Sequence, residues 1–189
     1  MPWLIYITGL PGSGKSTIAK ALLKLLSSKK IEATYLRLDE IRKEIVPEPQ
    51  YTEEERERVY QAYAERGLKL VEKGKNVILD ATAHRKKWRD WVRCKVKDFF
   101  EVYIKCDLDT CIKRESERKE GLVMADLYKK ALERKKTGKD FPGLGEVIGV
   151  DVPYEEYKKA DIIIESDKLS SEEAAREILT KIPRALQSY

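Results

Sequence analysis

An apolar run, a glycine-rich turn and a helical stretch follow one another at the start of the chain, and that order constrains the fold more than any other feature. Trp3 to Thr8 reads as a buried strand and Ile18 to Leu26 as a helix. Between them Gly9, Leu10, Pro11, Gly12, Ser13, Gly14, Lys15, Ser16 and Thr17 fit the pattern G-x-x-x-x-G-K-[ST]. The residue types carry the chemistry. Glycines let successive backbone N–H groups turn inward toward phosphate oxygens. A helix starting near Gly14 adds the positive end of its dipole. Lys15 can then reach the β- and γ-phosphates of a nucleotide, and the Ser16 hydroxyl can ligate Mg²⁺. Gly9 to Thr17 are therefore the candidate nucleotide-binding residues, with ATP and Mg²⁺ as the expected cofactors.

Apolar runs alternate with helix-period segments along the rest of the chain. Ala33–Leu38, Asn76–Leu79, Phe99–Ile104 and Asp161–Ile164 read as four further strands. Thr52-Glu53-Glu54-Glu55 has the form of a capping box opening a helix to about Lys73, and Ser170-Ser171-Glu172-Glu173 opens the last one. Such alternation builds a parallel sheet with right-handed crossovers. The expected fold is an α/β protein, a three-layer α/β/α sandwich on a five-stranded parallel sheet. A length of 189 residues suits one domain over 1–189. A lid-like region is expected at about 113–150, with a mobile loop in the glycine-rich stretch Gly138 to Val152.

Composition narrows the partners. A net charge of +5 suits a small anionic substrate without demanding nucleic acid. The abundance of Lys and Glu, with few Met and Cys, fits a heat-adapted protein. Cys94, Cys106 and Cys111 match no C-x-x-C spacing and read as packed, reduced thiols. His84 is the sole histidine, which excludes a multi-histidine metal site. No apolar run has the length of a membrane span, so the expectation is a cytoplasmic protein without a membrane partner. A homodimer is compatible with all of this.

Ligands of a parallel sheet bind at the carboxyl ends of its strands. Asp39 and Asp80 directly follow the second and third predicted strands. A carboxylate there can hold Mg²⁺ or take a proton from an acceptor hydroxyl, and either aspartate suits either role. Asp39 has a second reading, as a helix cap for Glu40 to Val46. Arg42 and Arg56 suit bidentate recognition of phosphate or sulfate, or are surface charges. Arg114 and Arg118, after the fourth strand, stand where small kinases carry a lid arginine that stabilises the transferred phosphoryl group, or are solvated lid charges. Arg85 to Lys97 holds seven Lys/Arg with Trp88 and Trp91. It reads first as an amphipathic helix with packed tryptophans, and second as a nucleic-acid contact.

These motifs, in order over residues 3 to 166, resemble the adenylylsulfate kinases, P-loop enzymes that phosphorylate the 3′-hydroxyl of adenosine 5′-phosphosulfate with MgATP. The resemblance includes Gly9 to Thr17, Leu38-Asp39-Glu40-Ile41-Arg42 and Tyr51-Thr52-Glu53-Glu54-Glu55-Arg56. It continues through Glu101 to Cys106 with Cys111 and Arg114, Asp126 to Ala131, Phe141-Pro142-Gly143-Leu144 and Pro153-Tyr154-Glu155. It implies that Asp39 is the base or a metal contact, that Arg42 and Arg56 hold the sulfate–phosphate end, and that Phe141 stacks on the substrate adenine. Departures fall on the acceptor side. Leu38 replaces a family glycine, and Val59 to Ala62 replace an asparagine and paired arginines. Asp80 to Arg85 replace an I-S-P-Y-R stretch, and about ten extra residues separate Arg114 from Leu127. The Asp-Ala-Thr of residues 80–82 resembles polynucleotide kinases, and the opening loop with Asp39 to Arg42 resembles seryl-tRNA kinases. A kinase of nucleic-acid ends or charged tRNA is thus one alternative, and a non-catalytic nucleotide-binding module another.

Overall fold

Five short apolar segments pair in parallel to make one sheet in a computed structural model that describes residues 1–117 and 126–182. In chain order the elements are β1 (Leu4–Thr8), α1 (Lys15–Ser28), β2 (Thr34–Arg37), α2 (Leu38–Ile45), α3 (Glu53–Glu72) and β3 (Val77–Asp80). They continue with α4 (Lys86–Arg93), β4 (Phe99–Lys105), α5 (Leu108–Ser116), α6 (Leu127–Thr137), β5 (Ile162–Glu165) and α7 (Ser171–Lys181). The strand order is β2-β3-β1-β4-β5. The chain leaves β1 toward one edge and returns past it to β4. The loop after β1 therefore sits at the point where the winding reverses, the place where open α/β sheets take ligands.

The sheet is covered on both faces, which is why its strands read as continuous apolar runs rather than alternating ones. Ile5 and Ile7 pack with Ile18 and Leu22 of α1 and Ile178 of α7. Their neighbours Leu4 and Tyr6 point the other way, into a cluster with Val59 and Tyr63 of α3 and Val92 of α4. A third cluster, with Cys111 of α5, Tyr128 of α6 and Leu144, sits beside the glycine loop. This is the expected three-layer α/β/α arrangement with a five-stranded parallel sheet. No described helix is long and apolar enough to cross a membrane.

Boundaries differ from the sequence reading where side chains found partners elsewhere. Leu38 opens α2 instead of closing β2, because its side chain is buried against Ile41 and Tyr60 beneath the helix. Asp39 consequently lies in the first turn of α2, not directly after a strand, and the residue at the cap is Arg37. Asp80 is the last residue of β3. The Ser170 capping box forms in full. At Thr52 only half forms: the hydroxyl accepts from Glu55 N, while the Glu55 carboxylate turns to Gln50 N, Tyr51 N and Arg42. Cys94 is exposed, unlike the buried Cys106 and Cys111. The stretch Gly138 to Val152, expected to be a loose loop, buries Leu144, Val147 and Ile148 and is tied down by an Arg134–Asp151 ion pair at 2.7 Å.

Candidate functional site

The glycine loop is held by the elements that pack on its outer side. At Gly12, with φ +81°, a Cβ would fall 2.4 Å from the Cys111 carbonyl oxygen; at Gly9 it would fall 2.5 Å from that of Ile104. Neither position accepts a side chain, so α5 and β4 can approach this closely only because both residues are glycine. The loop's carbonyls are engaged. Leu10 O accepts from Ser13 N at 3.1 Å and Lys15 Nζ at 2.7 Å, Pro11 O from Tyr128 Oη at 2.8 Å, and Ser13 O from Ser166 Oγ at 2.7 Å. Fixing the carbonyls in this way fixes the peptide planes, and with them the N–H groups that a phosphate would meet.

Gly12, Gly14, Lys15, Ser16 and Thr17 line a cavity of about 330 Å³. Asp39 and Asp80 line it too, with Arg42, Tyr51, Arg56, Tyr60, His84 and Glu146. Asp80 is buried, and its Oδ2 accepts hydrogen bonds from Ser16 Oγ and Tyr35 Oη, both at 2.6 Å. Tyr35 lies on β2, and β2 pairs with β3, so the tyrosine reaches its partner across neighbouring strands. Asp39 is held above the usual aspartate pKa, first by burial and second by the charge of Asp80; Lys15, Arg37 and Arg42 oppose the shift. Among the described residues no group of three or more His, Cys, Asp or Glu could hold a metal by itself. One hydroxyl and one or two carboxylates beside a phosphate loop fit Mg²⁺, which keeps waters and phosphate oxygens in its shell.

Arg42 and Arg56 of the lining are buried. Arg42 Nη1 meets Glu55 Oε1 at 2.7 Å, and its guanidinium lies 4.9 Å from the Tyr51 ring centroid. Arg56 donates through Nη1 to Glu146 Oε2 at 3.0 Å and through Nη2 to the Glu146 carbonyl at 2.5 Å. His84 is buried with its ring edge-on to Trp88, 4.9 Å between centroids. Burial and then the nearby Arg56, Arg85 and Arg89 push its pKa down to about 3, so it presents a neutral imidazole.

Lys15, Ser16, Asp39, Asp80, Arg42 and Arg56 are thus brought to one cavity. Arg114 and Phe141 do not line it. Arg114 is drawn behind the glycine loop by Ser166, donating to its carbonyl at 2.8 Å and its hydroxyl at 3.2 Å. Phe141 packs against the third cluster, under Lys139. Arg118 lies outside the described residues. The segment expected to be an amphipathic helix with packed tryptophans is so only in part: Trp88 is buried, stacks on Tyr60 at 3.9 Å and donates to Glu57 at 2.8 Å, whereas Trp91 is exposed. Five of its seven cations are in ion pairs, Arg85 with Glu53, Lys87 with Glu57, Lys86 with Asp90, and Arg89 and Arg93 with Glu101, which reduces the charge available to nucleic acid. Sequence reasoning missed Tyr35, Tyr60, His84 and Glu146. Tyr60 carried a signal, since it lies one turn after Arg56 on the same helix face; Glu146 carried none.

Comparison with known proteins agrees with this geometry. The profile of the Adenylylsulphate kinase family matches residues 1–165. A probable adenylyl-sulfate kinase of Archaeoglobus fulgidus is 30% identical over 168 residues, covering 89% of this chain and 98% of that protein. A cytidine diphosphoramidate kinase of Campylobacter jejuni is 30% identical over 180 residues, covering 95% of each. The structure of the Mycobacterium tuberculosis APS kinase CysC in complex with AMPPNP and APS superposes with a TM-score of 0.78 at 25% identity, covering 95% of this chain and 96% of that one. With the family profile matching residues 1–165 and a relative of 30% identity covered over nearly its whole length, the protein belongs to the adenylylsulphate kinase family.

Proposed function

We propose that the protein transfers the γ-phosphoryl group of ATP to the 3′-hydroxyl of adenosine 5′-phosphosulfate. The observation that carries this reading is the cavity itself, which a phosphate loop, two carboxylates and two arginines line together. The loop amides and Lys15 would hold the β- and γ-phosphates. Ser16 and Asp80, already hydrogen-bonded to each other, would hold Mg²⁺, which neutralises charge developing between those phosphates. Asp39, which lines the same cavity and has its pKa raised, suits the base that takes the proton of the attacking hydroxyl. Arg42 and Arg56 would hold the acceptor's anionic end, with Tyr51 and Tyr60 beside it. Arg114 is close enough to the loop to swing toward a transferred phosphoryl group. Phe141 would reach the acceptor's base only by leaving its present packing. The compartment on this reading is the cytoplasm.

Catalysis here is positioning and charge neutralisation, since phosphoryl transfer asks little covalent chemistry of the protein. The relative that acts on cytidine diphosphoramidate makes the acceptor's base the feature to test. The experiment is incubation with MgATP and either adenosine 5′-phosphosulfate or cytidine diphosphoramidate, with products resolved by anion-exchange chromatography. The reading expects ADP and 3′-phosphoadenosine 5′-phosphosulfate in equal amounts from the first. Phosphorylation of the cytidine compound alone would overturn it.

A further inference from the structure

The two arginines on the acceptor side are both paired within the chain, but their partners differ in kind. Glu55, which holds Arg42, is 9% exposed and also accepts from Gln50 N at 2.6 Å and Tyr51 N at 3.1 Å. Removing that carboxylate would strand two backbone donors as well as the guanidinium, so the pair is a fixed part of the wall. Glu146, which holds Arg56, is 55% exposed, while Arg56 is 5% exposed. Among the described residues no backbone N–H donates to the Glu146 carboxylate, which accepts from Arg56 alone. It can swing into water at small cost, because exposed carboxylates are well solvated. Arg56 cannot follow it and, once left, remains a buried cation in need of an anion.

The segment that carries Glu146 is anchored independently of that contact. Arg134 Nη2 donates to Gly145 O and to Asp151 Oδ2, both at 2.7 Å, and Asp151 accepts from Val147 N at 2.7 Å. Gly145 lies against Tyr51, so close that a Cβ would fall 2.6 Å from that of the tyrosine. The backbone is therefore pinned on both sides of Glu146, and only its side chain is free to leave.

We propose that Glu146 is a specificity-setting residue: its carboxylate occupies the position of the acceptor's oxyanion on Arg56 and must be displaced by it. The role rests on the proposed reading of the cavity as an acceptor site and adds a consequence to it. Acceptors with a strong anionic end displace the carboxylate and gain Arg56. Uncharged nucleosides cannot displace it and gain nothing. The resident carboxylate thus trades affinity for discrimination.

The test is Glu146→Gln, which keeps the shape of the side chain and removes its charge. Binding of adenosine 5′-phosphosulfate and of adenosine is measured by titration calorimetry with ADP present to fill the phosphate loop, and turnover is measured in parallel. The expected result is phosphosulfate binding tighter by roughly fivefold, with a matching fall in its KM. Adenosine binding, the KM for ATP and kcat should stay within about twofold. Phosphosulfate affinity that is unchanged or weaker, or a gain shared equally by adenosine, overturns the role of Glu146. Tighter phosphosulfate binding without turnover in either protein overturns the phosphosulfate kinase reading and leaves the ion displacement standing. No phosphosulfate binding by either protein overturns both.

Discussion

Asp39 shows how far a single residue can be read from sequence. Its position near a strand end marked it as a cavity residue, and it lines the cavity. Its alternative role as a helix cap does not hold, because α2 starts one residue earlier at a buried leucine. What the spacing could not show is the division of labour with Asp80. Asp80 is taken by Ser16 and Tyr35, whereas Asp39 is left with a raised pKa caused first by burial and second by Asp80. A raised pKa means that the ionised form, the one able to accept a proton, is lost at a higher pH than for an ordinary aspartate. The acid limb of kcat/KM should therefore lie above the usual value of 3.8. Replacing Asp80 by Asn removes the second cause, so Asp39 should then titrate at lower pH. Carboxyl ¹³C shifts of Asp39 in the two proteins check this; a titration unmoved by Asp80→Asn would contradict the charge coupling.

At the scale of elements, local signals were read well where they are self-contained. Ser170 to Glu173 closes its capping box because, among the described residues, only Ser170 donates hydrogen bonds to the Glu173 carboxylate. Ser170→Ala should lower stability by about 1 kcal/mol, read from a denaturant midpoint, with little effect on activity. A midpoint equal to wild type would mean that α7 is held by packing alone. Thr52 carries the same pattern and completes only half of it, since Arg42 and two loop N–H groups draw Glu55 away. That competition comes from Arg42 on α2 and from the α2–α3 connection, all outside the four residues of the motif itself. The same applies to the stretch around Glu146. Its glycines announced a loop, but its anchors, Arg134 and Arg56, lie on separate helices.

Across the whole molecule, alternation of strands and helices was enough to predict the sheet, because strands buried on both faces must be continuously apolar and their crossovers must be helical. The strand order placed the phosphate loop at the winding reversal and gathered Lys15, Ser16, Asp39, Asp80, Arg42 and Arg56 around one space. Arg114 and Phe141 escaped that gathering because their directions are set by Ser166 and by the third hydrophobic cluster, not by strand ends. The account rests on this cavity performing phosphoryl transfer with Asp39 as the proton acceptor. Its most direct test is a single-turnover reaction, with enzyme in excess over labelled MgATP and saturating adenosine 5′-phosphosulfate, for wild type and Asp39→Asn. The account predicts that wild type converts the label to product and that Asp39→Asn slows this step by about 10²- to 10⁴-fold while binding ATP as before. Transfer by Asp39→Asn at the wild-type rate would contradict it.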